Sequence, residues 1–430
     1  MSPITSGNAT PFTVGIALDG AGWHPAAWRE DAARPAELFT AAYWQHLITT
    51  ADAAGADYVT LEDAVHLQGV DPLQPNAEVP PRPQRGHVSG RLDALLTASW
   101  VAPHTRGIGI IPTVTTTHTE PFHVATALQT LDHISLGRAG WQLRISTGAA
   151  DAAAFGCKAA PAIDARAVLA GTPDAGLQET LEDAADAAEV ARRLWDSWQD
   201  DAVIRDVASG RFLDSDRVHH IHFEGTHFSV AGPSIVPRSP QGQLPITLLA
   251  HSPQIFELAA RTADVVFVTP ESDSVRAGAS RGKSVAQLVA EVRAAEQRVD
   301  RAALGLEPLR IVADLVVGLD TEAETATDRL ARLDAAAGAR FESDAHVSTG
   351  TAAEVADLIA EWREARIQGV RIRPLTLPGD LDTVAAELLP LLHGQGLGAQ
   401  PAGGEPIHLR ERFGLARAVN RYETAQEVAA

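Results

Sequence analysis

The chain alternates between short apolar runs and longer segments in which apolar residues recur every three or four positions. The short runs, such as FTVGIAL (12–18) and DVVFVT (264–269), are typical of buried strands. The longer segments, such as PQIFELAARTA (253–263), have the spacing of amphipathic helices. The predicted strands are 12–18, 56–62, 107–114, 141–146, 244–250, 264–269, 309–319 and 370–375, and the predicted helices are 37–54, 91–105, 120–134, 179–199, 253–263, 284–304, 351–369 and 381–394.

Regular alternation of strands and helices predicts parallel strand pairing with right-handed crossovers. Repeated units of this kind favour a (β/α)₈ TIM barrel within an α/β domain of residues 1–430, and such a barrel needs about 250 residues. The residues that a barrel does not need are assigned to two regions. One is an insertion at 148–243, between strands four and five, and the other is a C-terminal extension at 395–430 that packs back on the barrel. An open doubly wound sheet is the alternative, but no phosphate loop GxxxxGK[ST] supports it.

Composition narrows the class of protein. Of the 430 residues 45% are hydrophobic and 21% are charged, which predicts a globular chain with a sizeable core. The net charge of −20 disfavours nucleic acid and anionic membranes as partners, because their phosphates would be repelled. One cysteine excludes an intramolecular disulfide, and neither a signal peptide nor a long apolar run is visible, so we expect a cytoplasmic protein.

Barrel enzymes place their sites at the C-terminal ends of the strands. Alternation along strand four puts Gln142, Arg144 and Ser146 on one face. If that face is the barrel lumen, Arg144 is a buried cation that needs an acidic partner, and Glu62 is the candidate. Other polar side chains at predicted strand ends are Asp19, Trp23, His24, Asp63, His66, Thr113, Thr115, Thr116, Thr117, His251, Ser252 and Thr269.

Matching segments give the chain a family resemblance. They include EDA (62–64), TVTTTHTEPFHVA (113–125), LDHISLGRAGW (131–141), LWDSWQDDA (194–202) and GPSIVPRSPQGQLPI (232–246). In this order and spacing they resemble the bacterial-luciferase-like flavin monooxygenases. The chain is most similar to the branch of nitrilotriacetate monooxygenase and dibenzothiophene sulfone monooxygenase.

The resemblance implies a TIM-barrel oxidoreductase that binds reduced FMN supplied by a separate flavin reductase. Dioxygen then gives one oxygen atom to a small organic substrate and the other to water. The family often forms homodimers or higher homo-oligomers. A deazaflavin-dependent hydride-transfer oxidoreductase on the same barrel remains an alternative, and so does a flavin- or small-molecule-binding paralogue with weakened flavin binding.

Positions at the strand ends and the resemblance together give candidate site residues. His24, just after strand one, is the candidate catalytic residue that contacts the substrate or flavin, although it could instead order its loop. Ser252 either binds the FMN phosphate at the start of helix 253–263 or caps that helix. The remaining predicted cofactor-binding residues are Asp63, Thr113, Gln142, Ser146 and His251.

The differences from the family sequence have two interpretations. Either the substituted positions tolerate change and flavin binding is intact, or the flavin pocket is altered. The family has GWN and VTS in strand four where this chain has GWQ and IST, and Arg144 has no expected counterpart. His251 replaces a glycine, and Leu181 stands near a position where the family has tyrosine. His220 and His222 share a strand face that could chelate zinc, but the sequence places no third ligand, so no metal site is predicted.

Overall fold

A closed ring of parallel strands forms the centre of the molecule, which confirms the predicted TIM barrel. The computed structural model describes residues 11–67, 86–156, 158–159, 161–164, 172–270, 282–398 and 407–423, so Cys157 lies outside the described residues. The strands are β1 (Thr13–Leu18), β2 (Tyr58–Leu61), β3 (Gly109–Thr115), β4 (Trp141–Arg144), β5 (Val203–Asp206), β6 (Arg211–Leu213), β7 (Phe223–Glu224), β8 (Ser229–Val230), β9 (Ile246–Leu249), β10 (Val265–Val268), β11 (Arg310–Leu319), β12 (His346–Gly350) and β13 (Gly369–Pro374).

The barrel order is β10-β9-β4-β3-β2-β1-β13-β11, and pairing of β10 with the first half of β11 closes the ring. β12 pairs in parallel with the second half of β11, beyond the end of β10. Every pairing among these strands is parallel, so all the strands present their C-terminal ends on one side of the barrel.

Helices surround the barrel, and their starts follow local sequence signals. Ser284 and Thr351 each form a capping box with the Gln or Glu three residues later. The helices are α1 (Ala41–Ala53), α2 (Ala94–Val101), α3 (Pro121–Ser135), α4 (Ala149–Phe155), α5 (Ala175–Asp196), α6 (Pro253–Thr262), α7 (Val285–Arg298), α8 (Ala326–Ala337), α9 (Ala352–Glu364), α10 (Gly379–Thr383), α11 (Leu389–Gly394) and α12 (Leu409–Arg412). Among the described helices none is both long and apolar enough to cross a membrane.

The region between β4 and β9 contributes to the outer layer of the barrel. Its long helix α5 packs against α3 and α6, and the Trp195 Nε1 group donates a hydrogen bond to the Ala125 carbonyl oxygen at 3.1 Å. The sequence VHHIHFEGTHFSV (218–230) predicts a hairpin in this region, and the two-residue strands β7 and β8 form it. The β5–β6 hairpin that precedes it is not indicated by the sequence pattern.

Two differences from the sequence prediction follow β11. The hydrophobic pattern misses α8 and β12, which lie between β11 and α9. The predicted helix 381–394 is also divided, because a π turn at Val384–Leu388 separates α10 from α11. Pro390 explains the division, since it has no N–H to continue the α-helical hydrogen bonds.

The C-terminal tail closes the N-terminal end of the barrel. Leu409 and Phe413 pack in one buried cluster with Tyr58 and other residues of the lumen. Gly109 makes room for this tail, because a Cβ atom at this position would lie 2.5 Å from the Leu409 Cδ1 atom. The Arg310 side chain donates hydrogen bonds to the carbonyl oxygens of Phe413 and Gly414 at 2.8 and 2.6 Å. Two adjoining cavities open at the opposite, C-terminal end of the barrel.

Candidate active site

A buried carboxylate shared by two arginines forms the floor of the barrel opening. Asp314 on β11 lies beside Arg371 on β13. The Arg371 Nε and Nη2 atoms donate to the two Asp314 carboxylate oxygens at 2.7 and 2.5 Å, and the Arg373 Nη2 atom donates to Asp314 Oδ2. All three side chains are buried. Such charges are tolerated away from water only when they are paired and hydrogen-bonded.

The same network reaches across the barrel to β2 and β4. The Arg371 Nη1 atom donates to Gln142 Oε1 at 2.6 Å and to Glu62 Oε1 at 3.3 Å. Gln142 Nε2 in turn donates to Glu62 Oε1 at 3.1 Å. The Arg371 guanidinium also lies 3.9 Å from the centre of the Phe267 ring, close enough for a cation–π contact. These contacts fix the orientation of Gln142 before any ligand binds.

Electrostatics keep this network charged. Burial is the largest influence and disfavours the charged form of Arg371, but the charge and hydrogen bonds of Asp314 together with the charge of Glu62 raise the pKa of Arg371. Burial also disfavours ionised Asp344, but Arg373 beside it holds the pKa of Asp344 well below its usual range. The Arg373 Nη1 atom donates to Asp344 Oδ1 at 2.5 Å, so the network extends to the loop before β12.

A cavity of about 580 Å³ opens above this floor. The volume lies within the range of small-molecule and cofactor sites, about 300–1,000 Å³. Apolar walls come from Trp23, Leu143, Ile145, Leu248, Leu249, Ile255, Leu258 and Phe341, and polar groups come from Asp19, Glu62, Arg91, Gln142, Arg144, His251, Glu342, Ser343, Asp344 and Arg373.

Two buried donors at this cavity lack hydrogen-bond partners within the described part of the chain. They are the Trp23 Nε1 and Arg373 Nε atoms. The hydroxyl of Thr113, on the neighbouring strand β3, is likewise buried and unpaired there. Buried polar groups are usually hydrogen-bonded, so these donors indicate where a ligand can supply acceptors.

A second chamber of about 310 Å³ adjoins the first. It shares Asp19, Trp23, Arg91 and Arg144 with the larger cavity, and His24, His66 and His87 lie on its wall. Arg91 binds Asp19 through two hydrogen bonds of 3.1 and 2.6 Å. Arg144 and Trp23 therefore lie where the two chambers meet.

Residues 22–370 match the family model described as luciferase-like monooxygenase. The chain belongs to the luciferase-like monooxygenase family. It is 28% identical to the N-acetyl-S-(2-succino)cysteine monooxygenase of Bacillus subtilis (strain 168), over 95% of this chain and 98% of that protein. It is 32% identical to component A of nitrilotriacetate monooxygenase from Aminobacter aminovorans, over 61% of this chain and 54% of that protein.

A solved structure of a riboflavin lyase with modified FMN and riboflavin superposes with a TM-score of 0.74 at 22% identity, over 95% of this chain and 96% of that chain. That likeness supports the shared fold. The sequence matches confirm the resemblance stated above, and they make this luciferase-like chain an oxidoreductase of the monooxygenase type.

Two of the predicted cofactor-binding residues line the larger cavity of this luciferase-like barrel, namely Gln142 and His251. The His251 Nδ1 atom lies 3.1 Å from Thr269 Oγ1, and its Nε2 atom lies 3.4 Å from Asp344 Oδ2. Burial is the largest influence on His251 and lowers its pKa, so its imidazole is neutral at neutral pH. Ser252 occupies the N-cap position of α6, but its side chain makes no capping hydrogen bond.

Two other predicted residues have structural contacts next to the site. The Asp63 carboxylate accepts hydrogen bonds from the backbone N–H groups of Ala64 and Ala94 at 2.7 and 2.9 Å, which ties the end of β2 to the start of α2. The Ser146 hydroxyl donates to Asp151. Their roles in cofactor binding, like that of Thr113, stay predictions.

The predicted Arg144–Glu62 ion pair is wrong. The Arg144 Nη1 atom donates instead to the Asp63 carbonyl oxygen at 2.7 Å, while Glu62 accepts hydrogen bonds from Gln142 and Arg371. The buried cations of the lumen are Arg371 and Arg373. Neither they nor Asp314 and Asp344 were predicted from the sequence. The available signal was VRIRPL (370–375), which places two arginines on one face of a buried strand.

The predicted catalytic residue His24 has both ring nitrogens in use. Its Nδ1 atom accepts a hydrogen bond from the Ala26 N–H at 3.0 Å, so its Nε2–H donates to Asp334 Oδ1 at 3.1 Å. Burial is the largest influence and lowers the pKa of His24. These contacts favour the loop-ordering alternative, although the side chain lies on the wall of the smaller chamber.

No group of three or more metal-type side chains is assembled within the described ranges. His220 and His222 stack with their ring centres 5.4 Å apart, and His220 Nδ1 lies 2.7 Å from the Gly232 carbonyl oxygen.

Asp314→Asn is expected to destabilise the protein by about 3–5 kcal/mol, because it leaves two buried arginines without their shared charge. Urea denaturation measures this free energy of unfolding. The control is Glu257→Gln, which breaks the exposed ion pair with Arg298 and is expected to cost less than about 1 kcal/mol. An Asp314→Asn cost as small as that of the control would contradict the assigned role of Asp314.

His24→Ala is expected to lower the free energy of unfolding by about 1–3 kcal/mol, while turnover by the folded variant changes little. The folded-state pKa of His24 lies below its unfolded value of about 6.5, so unfolding takes up protons as the pH falls. The stability difference between wild type and variant therefore shrinks as the pH is lowered through about 6.5. The control is His46→Ala, because His46 is exposed. Its free energy of unfolding is measured at each pH alongside that of His24→Ala. A large loss of kcat at unchanged stability would instead establish a catalytic role.

Proposed function

We propose that the chain is the oxygenase component of a two-component monooxygenase. It binds reduced FMN delivered by a separate flavin reductase and uses dioxygen to oxygenate a small organic molecule. The observation that carries the proposal is the cavity at the C-terminal end of a luciferase-like barrel, whose lining residues Trp23 and Arg373 each carry a buried donor without a described partner. One sequence relative is itself named component A of a monooxygenase.

The residues at the cavity fit a flavin mononucleotide in shape and in donors. Leu249, Ile255 and Leu258 provide apolar walls for a flat ring system. The Trp23 Nε1–H and Arg373 Nε–H groups are buried donors without described partners, and a flavin carries carbonyl oxygens and ring nitrogens that can accept them. The departures at Gln142 and His251 leave this donor set in place.

Gln142 would hold the polar edge of the ring. Its Oε1 atom accepts from Arg371 and its Nε2 atom donates to Glu62, so one amide N–H remains for a ligand. Because Asp314 holds Arg371, the amide is positioned before binding and loses little freedom when it binds.

The start of α6 would hold the phosphate. Ser252 offers a hydroxyl that makes no cap, and the first N–H groups of a helix favour an anion. Neutral His251 beside it contributes no positive charge, so the helix N-terminus and hydroxyl must supply the attraction.

Bound reduced flavin would supply the two electrons and the reaction with dioxygen. The protein excludes water with its apolar walls and orients the substrate beside the ring. Assembly as a homodimer stays a prediction from the family resemblance.

Anaerobic titration with reduced FMN is expected to show submicromolar binding. With a generic flavin reductase and NADH, oxygen consumption is expected to be coupled to formation of an oxygenated product. N-acetyl-S-(2-succino)cysteine and nitrilotriacetate, named in the relatives, are the first substrates to test. Denatured protein in the same mixture corrects for free reduced flavin reacting with oxygen.

Three results would contradict the proposal. Absence of reduced-FMN binding would favour a paralogue with weakened flavin affinity. Turnover with reduced deazaflavin and no need for dioxygen would favour hydride transfer. The third result is oxygen consumption without any oxygenated product. If this holds for a panel of amines, thioethers, sulfones and alkanes, oxygenation of these substrate classes is excluded.

A further inference from the structure

Arg144 stands apart from the other arginines at the two chambers. Arg91 is paired with Asp19, and Arg373 is paired with Asp314 and Asp344. Arg144 has no carboxylate partner in the part of the chain that the structure describes, and its hydrogen bond there is to a backbone oxygen, that of Asp63. A half-buried guanidinium without a counter-ion needs a physical explanation, because partial removal from water disfavours charge.

The geometry of Arg144 leaves most of its donors available. A guanidinium carries five N–H donors, and the contact to the Asp63 oxygen uses the Nη1 atom alone. That contact also holds the side chain at the end of β4, where it lines both chambers. A planar fork with free N–H groups matches a carboxylate, which it can bind through two parallel hydrogen bonds.

The charges around the smaller chamber favour an anion. Its lining holds one carboxylate, Asp19, against two guanidinium groups, so one positive charge remains in a chain with a net charge of −20. The lining of the larger cavity holds four carboxylates against three guanidinium groups and therefore has the opposite balance. An acidic ligand is thus favoured in the smaller chamber, with Arg144 as its partner.

We propose that Arg144 binds a carboxylate of the substrate, so that the enzyme acts on organic acids. The carboxylate occupies the smaller chamber, and the rest of the molecule extends past Trp23 toward the larger cavity. The chamber volume of about 310 Å³ limits this part of the ligand to a small acid. That the bound acid is a substrate rests on the proposed monooxygenase function, whereas its binding does not.

The first experiment measures binding without flavin or turnover. Calorimetric titration with succinate and tricarballylate is expected to show binding, and titration with succinamide, the uncharged analogue of succinate, is expected to show far less. Arg144→Gln is expected to raise the Kd for both acids at least tenfold, because charge-assisted hydrogen bonds are lost. Arg144→Lys restores part of the affinity, since it keeps the charge without the planar fork.

Exposed Arg106→Gln is the matched control, because it changes the net charge equally at a distance from both chambers. Thermal denaturation of each variant checks that the fold is retained. If the affinity for the acids falls equally in Arg106→Gln and Arg144→Gln, the loss of affinity comes from the change in net charge alone, and the proposal is overturned. The same conclusion follows if wild type binds the acids no better than succinamide.

A second arm separates a substrate carboxylate from the phosphate of the flavin. The affinities of wild type and Arg144→Gln are compared for reduced FMN and for reduced riboflavin, which lacks the phosphate. Equal flavin affinities in the two proteins support a substrate role. A variant that loses affinity for FMN but not for riboflavin would make Arg144 a phosphate ligand and overturn the proposal.

The two proposals fail in distinguishable ways. If the acids bind through Arg144 but reduced FMN does not bind, the monooxygenase function fails and the carboxylate site stands. If reduced FMN supports oxygenation of neutral compounds and the acids do not bind, the carboxylate site fails alone.

Discussion

The Asp314 carboxylate, shared between Arg371 and Arg373, is the interaction on which the opening of this barrel depends. Two buried guanidinium groups on one strand face would repel each other without it. Through Arg371 the pair positions Gln142 from β4 and Glu62 from β2, and through Arg373 it holds Asp344. Strands β4, β11 and β13, the end of β2 and the loop before β12 are therefore tied into one polar layer. The cavity above that layer has a floor whose side chains are already oriented.

The C-terminal tail and the charged layer around Asp314 divide the barrel lumen into an N-terminal half and a C-terminal half. Leu409 and Phe413 pack with apolar side chains of the lumen in the N-terminal half, as in the filled core of a barrel. The C-terminal half keeps polar groups, and there Trp23 and Arg144 separate a larger, partly apolar cavity from a smaller chamber with surplus positive charge. The proposed flat cofactor and the proposed acidic substrate have different physical requirements, and the two adjoining spaces differ in the same way.

The sequence predicts the barrel well because buried strands and amphipathic helices leave clear local periodicities. It does not predict the charged layer, because Asp314 and Arg371 lie 57 residues apart and meet only when β11 and β13 pair. The assignment of Glu62 to Arg144 fails for the same reason, since Arg371 competes for Glu62 from across the ring. β12 was not predicted, because most side chains of HVSTG are polar and the strand is half-buried along its whole length. Gln142 and His251 line the cavity, and both could be predicted: Gln142 from its face on strand four and His251 from its place after strand five.

The most direct test of the proposed flavin site is a crystal structure after anaerobic soaking with reduced FMN. We expect the isoalloxazine ring in the larger cavity against Leu249, Ile255 and Leu258, with its polar edge at Gln142 and its phosphate at Ser252. We also expect Arg371 and Asp314 to stay in place and the chamber beside Arg144 to remain free for a second ligand. A ring bound outside the larger cavity, or a phosphate held by Arg144, would contradict the proposed site.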